Sequence, residues 1–315
     1  MLDARLSTRF GMSIFKFFVV VCILVAASWL CVFHAWGQEP TAVERGTYIF
    51  HASGGCTCHT DLENKGAFMA GGRAMKTPLG VVYSTNITPD PDTGIGAWTD
   101  DDFVNAMTKG IGPDGTHYFP VFPYTSFTRM RRQDVLDLKA YLRSIPPVHQ
   151  ANKPPDLPLP LRWRSAQVVW KWLYFEPGTF VPDRVRSAEW NRGAYLATAV
   201  AHCGECHTPR NLFGGLKRRM AYAGSVEGPE AQLAPNITPD QATGIGQWSI
   251  PDMVWFLENG LKPNGDDVQG LMSEVIEHGY EHLTASDLQA IAVYIRSLRP
   301  IHNKVVAKKK PSPAQ

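Results

Sequence analysis

The sequence lacks an excess of charge of either sign: lysine plus arginine number 31, aspartate plus glutamate 29, and the formal net charge is +2. The broad basic field that draws in nucleic acid is therefore absent, and nucleic acid is not an expected partner. The local exceptions, a patch at Arg129, Arg131 and Arg132 and a tail from Lys304 to Lys310, read as solvated surface. Cysteine is scarce as well, with six in 315 residues, placed too unevenly for a disulfide framework. What remains is a globular composition, 44% hydrophobic and 19% charged, in a chain long enough for two domains with separate cores.

A long apolar stretch occurs near the start, "FFVVVCILVAASWLCVF", residues 17–33. It follows Arg5, Arg9 and Lys16 and precedes His34 and Trp36. Its length is near the lower bound for spanning a bilayer, roughly 17–25 residues, and exceeds the roughly 7–15 of a signal h-region. An uncleaved anchor within 1–37 is expected; a cleaved signal is the alternative, because Ala35-Trp36-Gly37 offers a small-x-small site. Basic residues ahead of the run, with none close behind, place the main body outside the cytoplasm, in the periplasm or an equivalent space. Cys22 and Cys31 lie inside the run and read as small hydrophobes.

The other four cysteines form two close pairs, each just before a histidine. Cys203, Cys206 and His207, in "HCGECHTPR", match C-x-x-C-H, in which two thiols add to haem vinyl groups and the histidine binds the iron. A zinc site would need a fourth ligand, and none is near in sequence. The first pair, Cys56 and Cys58 before His59 in "GGCTCHTD", is one spacer short.

Much of the chain occurs twice. "ERGTYIFHASGGCTCHT" at 44–60 parallels "NRGAYLATAVAHCGECHT" at 191–208, and "NITPDPDTGIGAWTDDDF" from Asn86 parallels "NITPDQATGIGQWSIPDM" from Asn236. "QDVLDLKAYLRSI" from Gln133 parallels "SDLQAIAVYIRSL" from Ser286. Matching landmarks in this order predict a duplicated domain, one copy over 41–150 and the other over 188–301, with a connector at 151–187 and a tail at 302–315. By this register Cys58 and His59 stand where Cys206 and His207 stand, while Gly55 takes the place of Cys203. Residues two apart on a helical turn point some 200° apart, so Cys56 reaches a vinyl group only if the chain before it unwinds, as Gly54-Gly55 permits. A haem held by Cys58 and His59 is expected, with Cys56 attached or not; a plain cysteine pair is the alternative. Two c-type haems are thus the expected cofactors.

Each copy reads as a small helical domain. An opening helix from about Ala42 or Glu189 leads to the cysteines, and a middle helix starts after Thr99 or Ser249 with Asp100, Asp101 and Asp102 or Pro251-Asp252 in its first turn. The last helix buries Val135, Leu138, Leu142 and Ile145 in one copy and Leu288, Ile291, Ile295 and Leu298 in the other, with Thr284-x-x-Asp287 opening the second. The repeated Asn-Ile-Thr-Pro-Asp loop is read either as turn chemistry or as a rim near a haem edge, with Trp98 and Trp248 alongside.

Electron-carrying haems commonly have His and Met as axial ligands. Met272, read as lying in a loop between the middle and last helices, is the expected sixth ligand in the second copy, with His278 and His282 as competitors. In the first copy the register puts Phe122 opposite Met272, and phenylalanine cannot bind iron. Met130, His117 or a vacant position remain as alternatives there.

With these motifs the chain resembles the multi-haem cytochrome c subunits of membrane-bound bacterial dehydrogenases that oxidise alcohols, aldehydes and sugar acids. The resemblance covers roughly residues 41–301 and rests most on "WNRGAYL…HCGECHTPRN" at 190–211, "APNITPDQATGIGQWS" at 234–249 and "FPYTSF" at 122–127. It implies an all-α chain of tandem class I cytochrome c domains, with haem roles for Cys203, Cys206, His207, Met272, Cys58 and His59. It also implies that electrons pass from a periplasmic dehydrogenase, a separate chain, towards quinone or an oxidase. The shortened "CTCH" and Phe122 depart from the family pattern, which often includes a third haem. A dihaem peroxidase using an open first haem is the rival reading; a gas or redox sensor is disfavoured, since no cytoplasmic signalling segment beyond the short N-terminus is seen. The connector "PPDLPLPLRWRSAQVVWKWLYFEPGTFVPD", residues 154–183, is expected to strap the domains together, with a partner or membrane contact through its aromatics as the alternative.

Overall fold

The opening helix α1, Ala42–Ala52, buries Gly46, Ile49 and Phe50 along one face. The computed structural model describes residues 39–159 and 161–306; the expected anchor or signal at 1–37 and most of the basic tail lie outside them. Among the described residues no helix is long and apolar enough to cross a membrane.

After α1 comes a 3₁₀ turn, Thr57–His59, and then a two-stranded antiparallel hairpin, β1 Ala74–Thr77 and β2 Gly80–Tyr83, with Met75 paired to Val82. The hairpin is an addition to the all-helical expectation. It is closed by Thr77, whose hydroxyl donates to the Gly80 carbonyl across Pro78-Leu79. The middle helix α2, Asp100–Lys109, opens on a full capping box: Thr99 accepts from the Asp102 amide while the Asp102 carboxylate accepts from the Thr99 amide. A short helix α3, Tyr124–Phe127, and the long α4, Arg132–Ser144, complete the first half.

The connector is not extended throughout. Its centre is a helix, α5, Ala166–Tyr174, between proline-rich ends. In the second half α6, Ala188–Tyr195, runs into a π-turn at Leu196–Val200 and then into α7, Cys203–His207. A π-turn holds one more residue than the α-helix it interrupts, and this half is one residue longer between Gly193 and Cys206 than the first is between Gly46 and Cys58. Helix α8, Ile250–Asn259, repeats the capping box with Ser249 and Asp252. Helices α9, Leu271–His278, and α10, Ala285–Arg296, follow.

The core forms where opening and closing helices cross, α1 on α4 and α6 on α10. Val135, Leu138, Leu142, Leu288, Ile291 and Ile295 are all buried, as their spacing indicates; Ile145 and Leu298 sit at the margin. Both crossings are close because each has a glycine at its centre. A Cβ on Gly46 would stand 1.9 Å from the Asp137 carbonyl oxygen, and one on Gly193 would stand 1.8 Å from that of Ala290.

The Asn-Ile-Thr-Pro-Asp loops make the same bonds in both halves. Asn86 Nδ2 donates to the Val148 carbonyl and Asn236 Nδ2 to that of Ile301, while each Asn Oδ1 accepts from a threonine two residues on, Thr88 or Thr238. These buried side chains tie the loop to the strand of chain leaving the last helix, so turn chemistry accounts for them.

Candidate haem-binding site

Each attachment segment begins with a left-handed residue, Cys56 at φ 48° and His202 at φ 44°. In the second half the following helix, Cys203–His207, brings Cys203 and Cys206, three apart, to one side of the turn with His207 next in line. In the first half the chain unwinds earlier: Gly54, Gly55 and Cys56 are all at positive φ, 79°, 68° and 48°. Only glycine adopts such angles without strain, so the paired glycines allow the shortened motif to turn back towards the core. All four thiols are free among the described residues. Burial raises Cys56, Cys58 and Cys203 to about 11, and Cys206 is pushed up to about 12 by burial and then by the neighbouring Cys58. Cys58 of the first half and Cys206 of the second therefore lie within electrostatic reach of one another.

Both motif histidines are oriented alike. His59 Nδ1 lies 2.7 Å from the Thr85 carbonyl oxygen and His207 Nδ1 lies 2.8 Å from that of Pro235. A carbonyl only accepts, so Nδ1 carries the proton and Nε2 keeps its lone pair. Neither Nε2 has a hydrogen-bond partner among the described residues. Burial lowers both imidazoles below the usual histidine value, the carbonyls partly opposing it. A neutral ring fixed through Nδ1–H with a bare Nε2 is the form in which histidine binds a metal. The donor set thus fits a covalently held haem in each half.

Met272 lies in the first turn of α9, not in a loop, and is half-buried against the core. Its competitors are exposed: His278, whose backbone carbonyl faces His51 Nδ1, and His282, whose ring packs 4.2 Å from that of His51. In the first half a backbone bridge joins Ile111 to His117, and its counterpart joins Leu261 to Asp267. Tyr118 N then donates to Gly110 O as Val268 N donates to Gly260 O. Counting on from these bonds puts Phe122 at the place of Met272, where it packs edge-on against Tyr118 and Phe127. Met130 is fully buried two residues ahead of α4, at the place Leu283 holds ahead of α10, and both amides donate three residues back, to Phe127 and Tyr280. His117 Nδ1 stands 3.0 Å from Lys171 Nζ on the connector helix.

Several site residues were not legible in advance. Arg73 makes paired hydrogen bonds to Glu230 and Glu274, both in the other half, and reaches the Thr57 carbonyl within the first attachment turn. Burial disfavours its charge, but the two carboxylates outweigh that and hold Arg73 above its ordinary value. Glu205, between Cys203 and Cys206, accepts from Thr125 and Ser126 on α3 and pairs with Arg210. Each attachment segment is thus locked to the opposite half: the first against α9, where Gly55 abuts His278, and the second against α3.

A second reciprocal pair closes the interface. Tyr48 on α1 donates to Asp287 on α10, and Tyr195 on α6 donates to Asp134 on α4. Asp287 also binds Arg192 through two bonds of 2.6 and 2.9 Å. Burial pushes the Asp287 carboxyl up, but Arg192 and Tyr48 together hold it below the usual carboxylate range. A depressed carboxyl contributes stability above its unfolded value of about 3.9 that is lost as pH falls through the folded value. Asp287→Asn is expected to lower stability by about 2–3 kcal/mol at neutral pH, the partly exposed Arg192 keeping the loss below that of a fully buried pair. In acid titration the variant should lose less further stability below pH 4 than the parent, as read by denaturant unfolding.

A helical fold with two C-H-terminated cysteine turns, each with a carbonyl-oriented histidine, defines a c-type cytochrome. The chain belongs to the family of cytochrome c subunits of dehydrogenases and dihaem c-type cytochromes. It is 38% identical over 261 residues to the "Diheme cytochrome c-type" of Cereibacter sphaeroides, covering 82% of this chain and 86% of the relative. It is 38% identical over 259 residues to the fructose dehydrogenase cytochrome subunit of Gluconobacter japonicus, covering 82% of this chain and 52% of the relative. The cytochrome c subunit of the quinone alcohol dehydrogenase of Gluconobacter oxydans matches at 36% over 273 residues, 84% of this chain and 56% of the relative. The chain therefore spans about half the length of these dehydrogenase subunits. No protein-family model matches it.

Proposed function

We propose that the chain is a dihaem cytochrome c built from two copies of a class I cytochrome c domain, 41–150 and 188–301, strapped by 151–187. It is held at the outer face of the inner membrane by residues 17–33 and carries electrons from a partner dehydrogenase towards quinone or an oxidase. The observation that carries this reading is the matched pair of carbonyl-fixed histidines beside free, half-buried thiols. Cys203 and Cys206 would hold the second haem and Cys58 and Cys56 the first, with His207 and His59 binding iron and Met272 completing the second site. Each bound haem supplies a one-electron redox centre. The chain does the rest: it fixes the imidazole tautomer and clamps each attachment segment against the other half, which favours a short path between the two centres.

The test is redox titration of the purified chain. Two reversible haem transitions and no oxidation of organic substrates without a second protein are expected; substrate turnover by this chain alone would overturn the reading. The unwound chain before Cys56 supports attachment through both thiols of the first motif, so a pyridine haemochrome spectrum should show one band at the doubly bonded position. A red-shifted component would leave Cys58 as the only bond to the first haem.

One observation favours a second activity. With Phe122 at the place of Met272, Met130 packed as Leu283 is, and His117 engaged by Lys171, a haem held in the first half would draw no sixth ligand from these three positions. Carbon monoxide or peroxide would bind there, and peroxide reduction with an artificial donor tests the rival peroxidase reading.

A further inference from the structure

The connector helix α5 is amphipathic in the reverse sense. Gln167 and Lys171, one turn apart, are the residues it buries, 8% and 9% exposed, while Trp172 is 84% exposed. Lys171 Nζ donates to the carbonyls of Lys109 and Gly110 at the end of α2, which holds the polar face inward. Val168, Val169, Trp172 and Leu173 consequently form one outward apolar face, since Val168 and Trp172, and Val169 and Leu173, are four apart and Val169 and Trp172 three apart, spacings that bring side chains together on a helix. Trp163 is exposed just ahead of the helix, and Phe213 lies alongside it, where its carbonyl accepts from Trp170 Nε1 at 2.7 Å. A soluble helix seldom turns tryptophan and valine outward while spending lysine inside, so this face is built to be covered.

The charge around it selects the cover. Arg162 stands exposed at one end, and Lys217, Arg218 and Arg219 at the other, next to the end of α5, where Arg218 pairs with Glu176. Glu176 is the only carboxylate within 159–176 and 210–219. Outward tryptophan and aliphatic side chains between cationic ends are the makeup of a helix that lies flat in a lipid interface. At nine residues α5 is far too short to span a bilayer, for which about 20 are needed.

We propose that α5, with Trp163 and Phe213, is a surface-lying contact with anionic phospholipid that orients the haem domains on the membrane. The contact is independent of the haem assignments and of the tether at 17–33. Its test uses the full chain with Trp29→Phe and Trp36→Phe, so that tryptophans of the N-terminal segment are silent. Tryptophan emission is compared on phosphatidylglycerol–phosphatidylethanolamine vesicles with and without bromine on the acyl chains. Bromine quenching is expected, and it should be lost on adding Trp163→Phe and Trp172→Phe but kept on adding Trp255→Phe, an exposed residue elsewhere. Replacing phosphatidylglycerol by phosphatidylcholine should weaken it. Equal emission on both vesicles, or quenching unchanged by the Trp163 and Trp172 substitutions, overturns the proposal. Absence of quenching together with a dimeric sedimentation mass would instead assign the face to a second copy of the chain.

Discussion

Phe122→Met should close the first haem to carbon monoxide. The hydrogen-bonded bridge after α2 and its counterpart after α8 place residues 122 and 272 at the same point of the two halves. A thioether introduced there would meet the first iron as Met272 is proposed to meet the second. Before the substitution, carbon monoxide should bind one haem per chain; after it, binding should fall towards none and the potential of the first haem should rise, because methionine sulfur favours the reduced iron. The converse change, Met272→Ala, should open the second haem and lower its potential, within the roughly 0.8 V that axial ligands command. If carbon monoxide binds neither haem of the parent chain, Met130 or His117 already occupies the first site.

The second large effect is expected at the helix crossings. Gly46→Ala or Gly193→Ala puts a methyl group within 2 Å of a backbone carbonyl oxygen on the facing helix, and backbone cannot swing aside as a side chain can. The helices must separate over their whole contact, loosening Leu138 and Leu142 or Leu288 and Ile291 in turn. The loss should reach or exceed the upper end of overpacking penalties, about 3 kcal/mol, a large part of a typical domain stability of roughly 5–15 kcal/mol. Thermal unfolding followed by circular dichroism measures it. Changes within about 0.5 kcal/mol, the range of ordinary surface substitutions, would mean that the crossings are looser than described.

Features fixed by short-range chemistry were legible in the sequence. The cysteine and histidine spacing is set by one helical turn, the capping residues Thr99, Ser249 and Thr284 act over three positions, and the apolar stripes of α4 and α10 recur at three and four. The internal repeat aligned Phe122 with Met272, a register that the later bridges share. Features that depend on folded neighbours were not legible. Helix α9 begins after Gly270 with no side-chain cap, so Met272 read as part of a loop. Helix α5 hides among prolines and turns its polar residues inward, which defeats a pattern that assumes polar means exposed. Tyr48 and Asp287 are separated by 239 positions. Both recur in the repeat, as Tyr195 and Asp134, but only the folded chain shows that each tyrosine pairs with the aspartate of the other half. Arg73 carried no signal: counting on from Gly71 and Gly224, whose amides donate to the carbonyls of His59 and His207, the second half has Val226 in its place.

Intact-mass analysis of the chain matured in a host competent for c-type haem attachment tests the central claim most directly. Two haems bonded to one polypeptide are expected, falling to one on Cys203→Ala/Cys206→Ala and to one on Cys56→Ala/Cys58→Ala. A parent chain carrying no bonded haem, or only one, would contradict it.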